Sequence, residues 1–353
     1  MYRLLFDLVL RRMDPERAHR LGFEAIRLVG AMPPVAEAVR RALAPRVGAR
    51  VRALGIDFPA PFGVAAGFDK DAAAVPGLTM LGFAFVEVGT VTAHGQPGNP
   101  RPRLWRVLDR RAVRNRMGFN NDGAEAVALR LRRLRATPAG RGLVVGVNIG
   151  KSKVTPAEEA ATDYATSAEL LAPFADYLVV NVSSPNTAGL RDLQTVDALR
   201  PILVAVREAA DAAPSLGGRA AVPLLVKISP DLTDDAVDAV ADLAVELGLD
   251  GVVAVNTTTA HAYGDGGLSG PPLLHRGLDV VARLRTRLGP DPVIIGVGGI
   301  STAADAREYL AVGATLVQGY TGFVYRGPLW AFRINRALAA DATARGPVAE
   351  VAA

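Results

Sequence analysis

The segment YLVVNVSSPN, residues 177–186, carries a β-branched apolar run into Asn181, Ser183, Ser184, Pro185 and Asn186. A short apolar run bounded by turn residues reads as a buried strand. Its polar end admits three readings. It is a turn, which Asn, Ser and Pro favour, or a glycosylation acceptor at Asn181-Val182-Ser183, or a strand end aimed at a ligand. The same layout recurs in PFGVAAGFDK (61–70), FAFVEVGT (83–90), LVVGVNIGK (143–151), PLLVKIS (223–229), GVVAVNTT (251–258), PVIIGVGGI (292–300) and TLVQGYTG (315–322). Segments of helical period lie between them, over 122–135, 157–172, 195–210, 233–247, 272–288 and 302–312. Strand–helix alternation predicts parallel pairing, with both sheet faces covered and the strands apolar throughout. Eight such units predict an α/β fold, a (β/α)8 TIM barrel. A doubly wound open sheet is the alternative, but no Gly-x-Gly-x-x-Gly turn follows the first strand.

The 353-residue chain is half hydrophobic, enough for a large core, and contains no cysteine. That composition excludes disulfides, cysteine-ligated zinc or iron–sulfur centres and a thiol nucleophile. No metal-binding motif is present, so no metal site is expected. The opening MYRLLFDLVLRRMDPERAHRLGFEAIRLVG is interrupted by charges and lacks the order of a signal peptide. A cytoplasmic protein is therefore expected, which argues against glycosylation of Asn181.

Charge is concentrated at the start. Residues 1–52 hold eleven arginines, no lysine and five acidic residues, a net charge of +6, whereas the whole chain carries +5. Arginines alternate there with Leu4, Leu5, Leu8, Val9, Leu21, Ile26, Leu28 and Val29 at helical spacing. Asp14-Pro15 between the two runs supplies a cap and a proline at the first helical position. The pattern predicts two short amphipathic helices, suited either to a bilayer surface or to packing on the domain behind them. The expected organisation is a helical segment over 1–45, a barrel over 46–341 and a tail over 342–353.

In such barrels the active site lies at the C-terminal ends of the strands. Those ends present Lys70, Thr90, Asn148, Asn181 with Ser184 and Asn186, Lys227, Asn256 with Thr257, Gly298-Gly299, and Tyr320 with Thr321. Buried amides and ammonium groups are costly without partners, so a ligand that pairs with them is the economical reading. Glycine-rich turns in GVGGI and QGYTG precede helices at 302–312 and 328–340, the usual place of a barrel phosphate site. A phosphate-tailed cofactor would then lay its ring over the mouth. Lys227 could face that ring and stabilise a reduced, anionic flavin; a structural salt bridge is the other reading of Lys227.

LGFAFVEVGTVTAHGQPGNPRPRLWR, NRMGFNNDG, VGVNIGKSK, VVNVSSPNTAGLRDLQ, AVNTT, GGLSGPPL and IIGVGGISTAADA together resemble the dihydroorotate dehydrogenases of the quinone-dependent, membrane-associated class. The resemblance extends from DPERAH at residues 14–19 to about residue 340. It implies oxidation of dihydroorotate to orotate in pyrimidine (UMP) biosynthesis, one flavin mononucleotide (FMN) per chain, and a quinone as electron acceptor. FMN would be held by Ala66, Gly67, Phe68, Asp69, Lys70, Thr90, Asn148, Asn181, Lys227, Val255, Gly270, Gly299, Tyr320 and Thr321. Substrate would be held by Lys70, Asn115, Arg116, Met117, Gly118, Phe119, Asn181, Asn186, Asn256 and Thr257. Carboxamides suit a ring that alternates carbonyls and N–H groups, since each offers a donor and an acceptor.

Ser184 would be the catalytic base at C5 while a hydride leaves C6 for the flavin N5. Soluble relatives place a cysteine in that role, and this chain has none. Thr187 is a candidate for the proton route. The N-terminal helices would lie on an anionic membrane surface and open a quinone path flanked by His19 and Arg106 and closed by Tyr320. The implied location is peripheral, on the cytoplasmic side of the cell membrane, with neither nucleic acid nor a dedicated protein partner. Gly319 stands where relatives often carry a bulkier residue. Other classes remain open on the residues alone: a flavin barrel acting on RNA, a phosphate-sugar barrel enzyme, and a membrane adaptor on a catalytically dead barrel. The near-neutral remainder of the chain opposes the first, and intact Lys70, Ser184 and Lys227 oppose the last.

Overall fold

The computed structural model describes residues 2–43, 50–187, 189–213 and 221–344. All eight expected strands form: β1 (Phe62–Val64), β2 (Phe85–Val91), β3 (Val144–Ile149), β4 (Tyr177–Asn181), β5 (Leu224–Ile228), β6 (Gly251–Ala254), β7 (Val293–Val297) and β8 (Leu316–Gly319). They pair in parallel in chain order, and β8 closes on β1 through Val317, Gln318 and Gly319. The barrel reading holds, and the open-sheet alternative does not. Helices wrap the outside at Val75–Met80, Ala124–Ala136, Ala160–Leu171, Val196–Ala212, Asp234–Glu246, Leu274–Leu288, Ala303–Ala311 and Trp330–Ala344. Two of these helices start on a threonine cap, Thr233 and Thr302. Thr302 accepts from the Asp305 N–H while the Asp305 carboxylate accepts from the Thr302 N–H, so two otherwise orphaned donors are satisfied.

Two apolar layers hold the barrel. The outer layer packs strands against helices, while a separate interior cluster fills the N-terminal half with Phe58, Phe85, Tyr177, Leu225, Val253, Ile295 and Leu316. Phe58 comes from an antiparallel hairpin, Val51–Ala53 with Ile56–Phe58, that plugs this end. Farther up, the inward positions turn polar at period two: Glu87, Asn148, Asn181, Lys227 and Gln318 are all buried. The expectation of apolar strands throughout fails in this layer, because these side chains pair with one another inside the barrel.

Three further differences bear on the site. The N-terminal segment forms three helices, α1 (Tyr2–Leu8), α2 (Pro15–Gly30) and α3 (Pro33–Leu43), rather than two. Asp14 caps α2 as expected, accepting from the Arg17 N–H at 2.8 Å. The turn after β8 leads first into a separate short helix, Thr321–Arg326, and only then into Trp330–Ala344. A three-stranded antiparallel sheet lies outside the barrel, with Ala112–Asn115 between Leu104–Val107 and Gly267–Ser269. The expected boundary at residue 45 falls outside the described residues. The last helix enters the expected tail by three residues, for Ala and Thr continue a helix at little cost.

The helical segment is tied down at particular points. Gly30 of α2 passes so close to Gly77 that a Cβ there would lie 2.4 Å from the Gly77 nitrogen. Tyr2 donates to the Val324 carbonyl at 2.6 Å, and the Phe6 ring sits 5.2 Å from Tyr325. No described helix is long and apolar enough to cross a membrane. Asn335 on the last helix fastens it to the barrel. Its side chain accepts from the Phe62 N–H and donates to the Phe62 and Gly82 carbonyls at 2.9–3.1 Å. Asn335→Ala removes three buried hydrogen bonds, so a loss of roughly 2–4 kcal/mol in urea unfolding is expected. A loss under about 0.5 kcal/mol would show that this junction does not hold the fold.

Candidate active site

A cavity of about 1170 Å³, including its open mouth, occupies the C-terminal end of the barrel. Strand ends form its floor, the three-stranded sheet contributes Leu104, Val113 and Ser269, and α2 contributes His19. Most of the expected residues line it: Ala66, Gly67, Lys70, Thr90, Asn115, Met117, Gly118, Phe119, Asn181, Ser184, Asn186, Lys227, Val255, Asn256, Thr257, Gly270, Gly299, Tyr320 and Thr321. Phe68, Asp69, Arg106, Arg116, Asn148 and Thr187 are not part of the lining. The Asp69 carboxylate accepts from the N–H groups of Asp71, Ala73 and Ala74, which shapes the loop carrying Lys70. Arg116 reaches over Trp105, and the Thr187 carbonyl accepts from Leu190.

The floor depends on Glu87, wholly buried on β2. Its carboxylate accepts from Asn148 Nδ2 at 2.9 Å and Gln318 Nε2 at 2.7 Å, and Lys227 Nζ lies 3.6 Å away. Asn148 in turn accepts from Thr90 at 2.6 Å and Asn181 at 3.0 Å, which places Asn148 one layer beneath the cavity surface. Lys227 forms the buried ion pair considered for it and also lines the cavity. Sequence reading missed Glu87 and Gln318, although each is the lone long polar residue in its apolar strand run. That signal was available.

Above this floor, one wall gathers short polar groups from three loops. Asn181 Oδ1 accepts from the Ser183 N–H and hydroxyl and, at 3.3 Å, from Asn256 Nδ2. Asn186 Nδ2 donates to Asn115 Oδ1 at 3.1 Å, yet the Asn186 Oδ1 atom is buried with no partner among the described residues. An orphaned acceptor on a cavity wall suits a ligand N–H. Ser184 Oγ accepts from the Asn186 N–H at 3.2 Å. Lys70 pairs with neither neighbouring aspartate. Desolvation and the nearby Arg103 charge hold its ammonium down to about 8, against the pull of Asp71, Glu16 and Asp69. Among the described residues Lys70 has no ion-pair or hydrogen-bond partner for its ammonium, which leaves it available to a carboxylate in the cavity.

The opposite wall bares backbone. Gly298 and Gly299 have φ of 120° and 78°, and a Cβ on Gly299 would lie 2.6 Å from the backbone of Leu274. Glycine is required there, which leaves the N–H groups uncovered beside the Thr321–Arg326 turn. Ser269 Oγ and Thr321 Oγ1 lie 2.8 Å apart on the same side. Bare backbone and hydroxyls at one end, a lysine over the floor and carboxamides at the other end fit a phosphate-tailed, flat-ringed cofactor with a small polar ligand beside it.

Toward α2 the lining becomes aromatic. The His19 ring meets Phe68 edge-on at 4.9 Å and stacks near Tyr320 at 6.5 Å. Desolvation, with some help from Lys70, holds the His19 imidazolium down to about 4, so the ring is neutral. Burial likewise raises the Tyr320 phenol well above its ordinary range. Arg106 donates to the Met13 carbonyl at 2.9 Å, at the junction of α1 and α2 rather than on the cavity wall. Gly319 leaves room that the Trp330 indole takes; a Cβ there would come within 2.4 Å of it.

Comparison with known proteins agrees with this architecture. Residues 49–341 match the family model described as dihydroorotate dehydrogenase. The chain is 56% identical to the "Dihydroorotate dehydrogenase (quinone)" of Thermobifida fusca, covering 98% of this chain and 94% of that one. It is 57% identical to the protein of the same name from Streptomyces coelicolor, over 96% and 94%. A crystal structure of the Eimeria tenella DHODH in complex with ferulenol superposes with a TM-score of 0.82 at 35% identity, covering 94% of this chain and 93% of that one. The chain therefore belongs to the dihydroorotate dehydrogenase family, among members named for a quinone acceptor.

Proposed function

We propose that this chain oxidises dihydroorotate to orotate in pyrimidine biosynthesis, with FMN as cofactor and a membrane quinone as acceptor. The observation that carries the reading is the single wall holding Lys70, Asn115, Ser184, Asn186 and Asn256 beside the Lys227–Glu87 floor. The Lys70 ammonium binds the substrate carboxylate. Asn186 Oδ1 accepts a ring N–H, and the other carboxamides serve the remaining ring carbonyls and N–H groups. Ser184 takes the proton from C5. A serine hydroxyl is a weak base in water, so enclosure by the sheet and α2 and fixed neighbouring dipoles must assist it. When bound, FMN would supply the acceptor for the hydride that leaves C6, and the quinone would be the final acceptor of the two electrons. Its phosphate would rest against Gly299, Ser269 and Thr321, and its ring near Lys227.

The helices α1–α3 would serve as the membrane and quinone side, with the barrel as the catalytic domain. Nine of the sixteen large apolar side chains exposed among the described residues lie between Leu4 and Val35. Arginines interleave with them, and each basic residue near an anionic surface contributes about 1 kcal/mol. His19, Phe68 and Tyr320 lie between this face and the cavity, where a quinone ring would approach.

Absorbance of the purified protein under anaerobic conditions tests the whole reading. A yellow protein that bleaches with dihydroorotate and recovers with quinone, but not with fumarate or NAD, is expected; a yellow protein indifferent to dihydroorotate would discard the substrate. Ser184→Ala should retain FMN and orotate binding while kcat falls about 10²- to 10⁴-fold. Unimpaired turnover in that variant would remove Ser184 from the chemistry. Lys70 must be charged to hold the carboxylate, and its charge is lost as pH rises through about 8. Accordingly kcat/KM for dihydroorotate should fall above that pH through a rising KM; a flat KM to about pH 10 would assign the carboxylate elsewhere. Leu5→Glu with Leu28→Glu should abolish sedimentation with anionic vesicles and leave bleaching by dihydroorotate intact. Continued vesicle binding would place the membrane face elsewhere.

A further inference from the structure

We infer that Asn99 is a positioning residue for the substrate wall, and that Glu16 of the N-terminal helix α2 fixes it through Arg103. The inference rests on the substrate assignment above and extends it to residues outside the cavity. The Asn99 amide donates in two directions, to the Arg116 carbonyl at 3.1 Å and to the Asn186 carbonyl at 2.9 Å. These belong to the two loops that face one another across the wall, one carrying Asn115 through Phe119 and the other Ser184 and Asn186. The first loop is further laced to the Asn99 loop by Asn99 N–H to Met117 and by Gln96 Nε2 to Gly118. For the backbone of Asn186, by contrast, the bond from Asn99 is the only hydrogen bond to the carbonyl among the described residues. Asn99 thus ties together the backbones of the two loops whose side chains meet in the Asn186–Asn115 hydrogen bond.

Asn99 is itself held from below. Arg103, almost wholly buried, donates one nitrogen to the carbonyls of Pro97 at 2.6 Å and Asn99 at 3.0 Å. Its other two nitrogens grip the Glu16 carboxylate at 2.9–3.3 Å. Burial disfavours the Glu16 carboxylate, but its bonds to Arg103 and Arg101 overcome that and lower its pKa. A planar fork bonded through all three of its nitrogens is held in one geometry, so the position of α2 is transmitted to the Asn99 loop. Three residues from Glu16, on the same helix, His19 lines the cavity from the aromatic side. One helix therefore contributes to the enclosure of the cavity and, at second hand, to the spacing of its carboxamides.

Calorimetric titration of the FMN-loaded protein with orotate tests this. Asn99→Asp keeps the shape and removes both donors; a Kd for orotate raised about tenfold to a hundredfold is expected, with FMN content and quinone-driven flavin reoxidation unchanged. Arg103→Lys keeps the charge but not the fork, and should weaken orotate binding several-fold. Because both act through one chain of contacts, the double variant should bind no worse than Asn99→Asp alone. Wild-type affinity in Asn99→Asp, or multiplied losses in the double variant, would overturn the inference. If orotate fails to bind even the wild-type holoprotein, the substrate assignment falls, and this inference with it.

Discussion

A charge buried at the barrel axis organises this protein. Glu87 is a carboxylate with no access to water, which is tenable only because three neighbours from other strands neutralise and hydrogen-bond it. Asn148, Lys227 and Gln318 stand on β3, β5 and β8, so one anion draws on much of the barrel's circumference. Replacing it by an apolar residue of similar size would satisfy none of them. The apolar lower half of the barrel and the polar upper half that opens into the cavity meet at this group. Above it, Asn148, Asn181 and Asn256 are positioned by hydrogen bonds that trace back to it.

Much of this was legible in the sequence, for identifiable reasons. Parallel strands covered on both faces produce continuous apolar runs, and these located all eight strands and their polar ends. The polar ends in turn located most of the cavity, because unpartnered amides seldom survive at such positions without purpose. Local chemistry placed Asp14 as a cap. What local chemistry cannot carry is the identity of distant partners. The Arg103 fork joins residues far apart in the chain, and nothing in GNPRPRLWR names Glu16 as its partner. Gln318 and Glu87 likewise meet only on closure of the barrel. The three-stranded sheet was missed because LWRV and AVRN read as loops between larger signals, and α3 because its arginines merged with those of α2.

The cavity also has two chemically distinct sides. Its carboxamide wall is rigid, multiply bonded and polar. The side facing α2 is lined by His19 and Tyr320, both neutral and both packed against Phe68, and offers shape rather than charge. On the proposed function, polar recognition on one face and neutral aromatic surface on the other would keep a small anionic acid and an apolar acceptor from competing for the same contacts.

The packing of Trp330 against Gly319 has a consequence for how this region can change over evolutionary time. The indole fills the volume a side chain at 319 would need, stacks near Phe323 and anchors itself by donating to the Ser301 carbonyl at 2.8 Å. The two positions behave as a single volume shared between strand and helix. A larger residue at 319 demands a smaller one at 330, and a change at either alone pushes on Tyr320, the next residue along. Substitutions here should therefore be inherited in pairs, and a graft of this strand into another barrel of the family should travel with its tryptophan.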